Sequence, residues 1–364
     1  MISLRSARAA WARLAERGEV LRRILHVLPA KLERGDLAGL DESVASDAAT
    51  HGLLVHIAAA TAPAALDPSV ASLVASTRRQ LGFQAQRVKR SWDLALAALQ
   101  AAGIDCLPLK GRGLALRLYG DPAQRFCADV ELFVRPESLG FALEVLAGAG
   151  FRKPDWISLD YYRQAQHHIL LTGPAGSAPV ELHFALLSGL GRRLDSAEIF
   201  ARARLSQVGG STLLTMTPED ELVYLAAHAA VHGFTPLSFL YDLKVLATTP
   251  IDLELALARS RSARVFAAVS MALSVAEHWF GLDWAQRWPA ERHLSARCAG
   301  PLFADPLILS AAHSRHKRLS WPSGFLLTDD LGDAASRLGH NAARVAKRRA
   351  RRHLGSWVPS SWGD

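Results

Sequence analysis

Apolar residues recur near a 3.6-residue period along the first hundred positions, as in Leu4, Ala7, Trp11, Leu14 and again in Leu21, Ile24, Leu25, Leu28. That is the spacing of one face of a helix. Pro29 interrupts the run, a second helical stretch covers about 44–61, and Ala62-Pro63 with Pro68 marks a loop. A long helix is predicted over 69–103, with Leu73, Leu81, Trp92, Leu96 and Leu99 on its apolar side. The pattern then shortens. Positions 104–109 form an apolar run of strand length, 113–119 return to helix, and Gly120-Asp121-Pro122 turns the chain. Positions 128–134 alternate: Asp129 and Glu131 share one face of a strand, while Val130, Leu132 and Val134 take the other.

Pro136-Glu137-Ser138 then opens a helix that continues to Gly150. Two antiparallel strands, 168–172 and 180–186, flank the turn Gly173-Pro174-Ala175-Gly176. Glu181 and His183 share a face of the second. Thr217-Pro218-Glu219-Asp220 reads as a capped helix start, and the run 221–234 carries His228 and His232 one turn apart. A helix over 237–247 contains Tyr241-Asp242, and amphipathic helices follow to about His353. This predicts an α+β chain, mostly helical, with a small mixed β-sheet core embedded between helical regions. The expected divisions are an N-terminal helical region 1–103, an α/β core 104–215, and a C-terminal helical region 216–364.

Composition changes this picture little. Half of the 364 residues are hydrophobic, ample for a packed core. Cys106, Cys127 and Cys298 are too few and too scattered for a disulfide framework or a zinc site, so a reduced, cytoplasmic setting is expected. The first twenty residues lack the apolar core of a signal peptide, and the run 265–276 is too short to span a bilayer. The formal charge of +8 is concentrated: 337–364 hold seven Lys or Arg against one Asp, leaving +2 for the rest. The basicity belongs to one C-terminal helix, read as a solvated face, and nucleic acid is not an expected partner.

The chemistry gathers in 107–136. Asp129 and Glu131 on one strand face, joined by Glu181 from another strand, repel one another unless a cation lies between them. Oxygen ligands of this kind suit Mg²⁺, and two such ions would stabilise both oxygens of an in-line displacement at phosphorus. Lys110 and the N–H groups of Gly111 to Gly113 stand at a helix start and suit a phosphate. Arg125, just before the acidic strand, offers a second positive contact. His183 reads as a support for Glu181. His228 and His232 lack the Glu and third ligand of a helical zinc site and read as structural or acceptor-pocket residues. His51, His56 and Tyr119 read as packing residues, and Asp242 as a residue paired within the helical part.

In order along the chain stand Lys110-Gly111, Leu118-Tyr119-Gly120-Asp121-Pro122, Arg125, Asp129-x-Glu131-Leu132-Phe133-Val134 and Val180-Glu181-Leu182-His183. His228-x-x-x-His232-Gly233 and Leu240-Tyr241-Asp242-Leu243 follow. This set resembles the bacterial uncharacterised nucleotidyltransferase family, within the polymerase-β-like superfamily, over roughly 45–260. The resemblance implies Asp129, Glu131 and Glu181 as catalytic metal ligands, with Lys110, Gly111, Gly113 and Arg125 binding the nucleotide. It further implies an NTP and Mg²⁺, two ions, as ligands. Transfer of a nucleoside monophosphate to a small-molecule or peptide acceptor, in a biosynthetic cluster, follows from the same likeness. Glu131 and Glu181 stand where the family has Asp, and Lys-Gly-Arg-Gly replaces the Gly-Ser of other superfamily members. The alternative is therefore a nucleotide- or partner-binding protein of the same fold with weakened turnover.

Overall fold

The computed structural model describes residues 41–59, 66–154, 159, 166–187, 194–280, 294, 296–298, 327–329 and 332. The expected helices before 41 and after 280, the basic C-terminal one included, lie outside the described residues. Helix α1 (Glu42–Thr50) begins at Asp41, whose carboxylate accepts from the Val44 N–H at 2.9 Å, and α2 (Leu54–Ala59) follows. One helix was expected over 44–61. The chain instead breaks at 51–53, where Gly52 adopts a positive φ. The long α3 (Pro68–Ala101) starts as its sequence predicts, with Pro68 in the first turn and Asp67 accepting from the Ser69 N–H at 2.9 Å.

Strand β1 (Cys106–Pro108) leads into α4 (Gly111–Leu118), a 3₁₀ turn (Pro122–Gln124) and β2 (Val130–Val134). A second 3₁₀ turn (Pro136–Ser138) opens α5 (Leu139–Gly148). Then come β3 (His168–Leu171), β4 (Val180–His183) and α6 (Ser196–Arg202). A hairpin, β5 (Arg204–Val208) and β6 (Ser211–Thr215), precedes α7 (Pro218–Val231), α8 (Ser238–Leu246), α9 (Leu253–Ser262) and α10 (Phe266–Phe280). The main sheet has the order β1-β2-β4-β3: β2 runs antiparallel to β1 and parallel to β4, and β3 pairs antiparallel with β4. The expected mostly helical α+β fold with a small mixed sheet is what forms.

The sheet separates two apolar clusters. On one side Val130, Leu132 and Val134 pack with Trp92, Leu96 and Leu99 of α3 and with Leu139, Ala142 and Leu146 of α5. On the other, Leu107, Leu109 and Phe133 join α1, α7, α8 and α10. Helix α7 is buried over nearly its whole length. Its start is fixed where Thr217 caps Asp220 at 3.3 Å, and where Arg202 and Arg259 reach the Asp220 carboxylate at 2.9 and 3.1 Å. With a cluster on each face, β2 is buried at all five positions, as expected of a central strand rather than a solvated one. Its acidic face therefore opens into the space between the sheet and the C-terminal helices.

Candidate active site

Strand pairing brings the acids together. β2 and β4 lie parallel in register with Glu131 opposite Glu181, while β3 places His168 opposite His183. Because i and i+2 share a face, Glu181 and His183 point the same way as Glu131. These side chains line a cavity of about 770 Å³ whose other wall carries His228 of α7 and His232 just past its end. Lys110, Gly111, Arg125 and Asp129 line it as well. Gly113 does not. A Cβ there would lie 2.9 Å from Pro108 Cβ and 3.1 Å from Trp92 Cη2, so its small size serves the seating of α4 against α3.

Gly111 is different. Its φ of +61° belongs to the left-handed region, and a Cβ would come 3.5 Å from the Asp129 carbonyl oxygen. The bare backbone here lets Lys110 and the start of α4 stand against the acidic strand. No side chain caps that helix end, which leaves its first N–H groups without a side-chain acceptor.

The charges are unevenly shared. Lys110 Nζ, almost fully buried, lies 2.9 Å from Glu131 Oε2 and 2.7 Å from His228 Nε2. Burial, then the charge on Lys110, hold His228 far below the ordinary imidazole range, so the ammonium donates to a neutral ring. The contact with Glu131 is an ion pair between two nearly buried groups. His183 Nε2 stands 3.3 Å from Glu181 Oε2 and 3.9 Å from Glu131 Oε2, and His168 Nε2 lies 3.6 Å from Glu181 Oε1. The support of Glu181 by His183 read from the sequence is thus present.

The acids respond to these neighbours. Burial, with Glu131 and Glu181 nearby, pushes Asp129 up to about 7. Burial would also raise Glu181, but the hydrogen bond with His183 and the charges on His168, His183 and Lys110 bring it down to about 2. Desolvation dominates for His167 and His168 and lowers both, the first to about 3, so His167 is neutral at physiological pH. Neutral imidazoles are metal ligands.

Of the expected site residues, Lys110, Glu131 and Glu181 converge most closely. Among the described residues, two trios could hold an ion, with ligand atoms within 4.8 Å of one another: Glu131, Glu181 and His183; and His167, His168 and His183. Asp129 lines the cavity but belongs to neither. Arg125 also reaches the wall, yet its guanidinium is turned to Asp242, with Nε 2.9 Å and Nη2 2.9 Å from Oδ2. Tyr119 donates to the same carboxylate at 2.8 Å. Asp242 is paired, but with Arg125 and Tyr119 of the α/β core and not within the helical part as expected, and Arg125 is the arginine expected to meet phosphate. Sequence reasoning missed His167 and His168. Their only signal was position: a His-His pair at the start of a strand next to Glu181.

Residues 42–281 match the family model described as uncharacterised nucleotidyltransferase. Among solved structures, a crystal structure of an antigenic nucleotidyltransferase-like protein from Paracoccidioides brasiliensis is similar at 18% identity and a TM-score of 0.32. The match covers 49% of this chain and 91% of that one. No curated protein matches the chain. The family model spans well over half of the sequence, and this chain belongs to the uncharacterised nucleotidyltransferases.

Proposed function

We propose that the cavity binds an NTP with Mg²⁺ and transfers its nucleoside monophosphate to the hydroxyl of a small-molecule or peptide acceptor. The observation that carries this reading is the pairing of Glu131 with Glu181 across parallel strands, beside Asp129 and a single buried ammonium. Three carboxylates stand against the one ammonium, which reaches only Glu131, and that excess fits a site built around a divalent cation. Mg²⁺ bound there would neutralise the triphosphate and stabilise charge on the oxygens of the displacement.

The protein groups divide the remaining work. Asp129 and Glu131 face the nucleotide's metal. The N–H groups at the start of α4 and the Lys110 ammonium hold phosphate oxygens. Asp129 and Glu181, flanking the acceptor oxygen, activate it. Arg125, held by Asp242 and Tyr119, fixes the wall behind Asp129 instead of binding phosphate. Val231, Phe239 and Leu187 supply an apolar stretch of the cavity with His232 beside it, suited to an acceptor of mixed polarity.

One observation favours a second reading. Lys110 already occupies Glu131, and both Glu131 and Glu181 are longer by a methylene than Asp, which moves the ligand oxygens on the ~1 Å scale that can cost ~10²-fold in rate. A binding protein without turnover would share the same cavity. Calorimetric titration of the four NTPs with Mg²⁺, on the native protein and on Asp129→Ala, tests the site. The transferase reading requires metal-dependent binding that disappears in the variant, with pyrophosphate released once an acceptor is supplied. Binding without pyrophosphate release across an acceptor screen would favour the second reading, and no binding would sink both.

A further inference from the structure

We infer that His228 is a positioning residue of the nucleotide site, holding the Lys110 ammonium so that it keeps a donor for a phosphate oxygen. The inference deepens the transferase reading and rests on it. From the sequence His228 reads as structural or as an acceptor-pocket residue. Its contacts are more specific. Nε2 lies 2.7 Å from Lys110 Nζ, and the same ammonium is ion-paired with Glu131 Oε2 at 2.9 Å. An ammonium has three N–H donors and no acceptor, so the ring nitrogen that faces it is the bare one. Among the described residues, His228 and Glu131 are the polar partners of Lys110, which leaves donor capacity for a ligand in the cavity that Lys110 lines.

The residue type supports this role. Lysine carries its charge on a flexible four-carbon stem, and a phosphate contact has to be fixed in place to serve a displacement. A second carboxylate at position 228 would fix the ammonium equally well but would cancel the charge that phosphate is to meet. A neutral imidazole fixes it and leaves the charge. Burial, then the charge on Lys110 itself, keeps His228 neutral. Glu131 cannot do this alone, because a carboxylate expected to ligate a metal shares its oxygens with that ion. Imidazole is a poor ligand for Mg²⁺, so the contact with His228 is not shared in this way.

The ring is itself held. Its centroid lies 4.4 Å from that of His232 and 5.0 Å from that of Phe239, whose ring meets it edge-on. Tyr224, one turn earlier on α7 and fully buried, stands 6.0 Å from the His228 ring and 5.9 Å from Lys110 Nζ. Support of this kind on a packed helix is what a fixed contact requires. Packing against these rings would be served as well by Leu or Phe at position 228. What those residues lack is an acceptor for the ammonium.

The test is a double-mutant cycle on the full chain, read as Mg²⁺-dependent NTP affinity by calorimetry. The variants are His228→Leu, Lys110→Met and the two combined. His228→Leu should weaken binding by about tenfold, the scale of one hydrogen bond to a charged group, while the same change in Lys110→Met should cost nothing further. His228→Gln, which keeps an acceptor, should recover most of the loss. A residue that only packs would give equal losses with and without Lys110. Native affinity in His228→Leu, a loss that persists in Lys110→Met, or a loss as large in His228→Gln would overturn the inference. Should His228→Leu not fold, ring ¹⁵N spectra of the native protein decide. A bare Nε2 whose signal moves on Lys110→Met supports the contact, and a protonated Nε2 or an unmoved signal overturns it. Absence of NTP binding in the native protein would sink the transferase reading and this inference with it, whereas native binding that His228→Leu leaves unchanged sinks the inference alone.

Discussion

The two faces of β2 differ in kind although they alternate along one run of five residues. On one face Val130, Leu132 and Val134 meet α3 and α5 in an apolar cluster with no competing demands. On the other, Glu131 follows Asp129 into a cavity where acids, imidazoles and one ammonium stand close together, and Phe133 alone joins the opposite core. The first face lowers the free energy of folding. The second opposes it, since buried charge is costly and three carboxylates there face one ammonium. Retention of such a face on a central strand marks a site. The difference also separates two sorts of buried polar residue: those that bind something else, and those, such as Arg125 and Asp242, that satisfy each other.

That distinction can be broken at Asp242 first. It is polar but structural, and Asp242→Ala leaves the Arg125 guanidinium buried without its carboxylate. We expect a loss of about 3–5 kcal/mol in urea unfolding, the largest effect of the set. Leu132→Ala, on the apolar face, should cost about 2–5 kcal/mol in the same assay while the folded fraction keeps its nucleotide affinity. Lys110→Met reverses the pattern. Mg²⁺-dependent NTP turnover of the folded fraction, followed by pyrophosphate release, should fall by ~10²–10³-fold.

The smallest effect sharpens the comparison through pH. Asp129 is raised in the folded protein from 3.8 to about 7, so the native state binds its proton more tightly than the unfolded chain does. Its contribution to stability is therefore whole below the unfolded value, and it is lost as pH rises through about 7. Asn cannot ionise. In thermal melts Asp129→Asn should match the native protein near pH 4 and exceed it near pH 8. Equal melting curves at both pH values would show that Asp129 is not strained by its neighbours.

Much of the first face was legible in the sequence, because period and turn residues report local geometry. The helix over 69–103, the strand 128–134 and the capped start at Thr217 all form close to where their patterns place them. The hairpin β5–β6 was missed, although Gly209-Gly210 between two polar–apolar stretches is a strong turn signal. The shared face of Asp129 and Glu131 could be read from spacing. The direct opposition of Glu131 and Glu181 could not, since register between strands fifty residues apart depends on the whole sheet. The same holds for His168 against His183, and for Arg125 with Asp242, separated by 117 positions. A charged residue's partner is a tertiary fact, and for Arg125 it redirects the expected role.

The central claim is that neighbouring residues of one strand serve separate ends, and Glu131 tests it most directly. Mg²⁺-dependent NTP affinity and the unfolding midpoint should be measured together for Glu131→Gln and Leu132→Ala. The account predicts that Glu131→Gln abolishes metal-dependent binding with little change in midpoint, while Leu132→Ala lowers the midpoint and binds normally where folded. Native affinity in Glu131→Gln would contradict it.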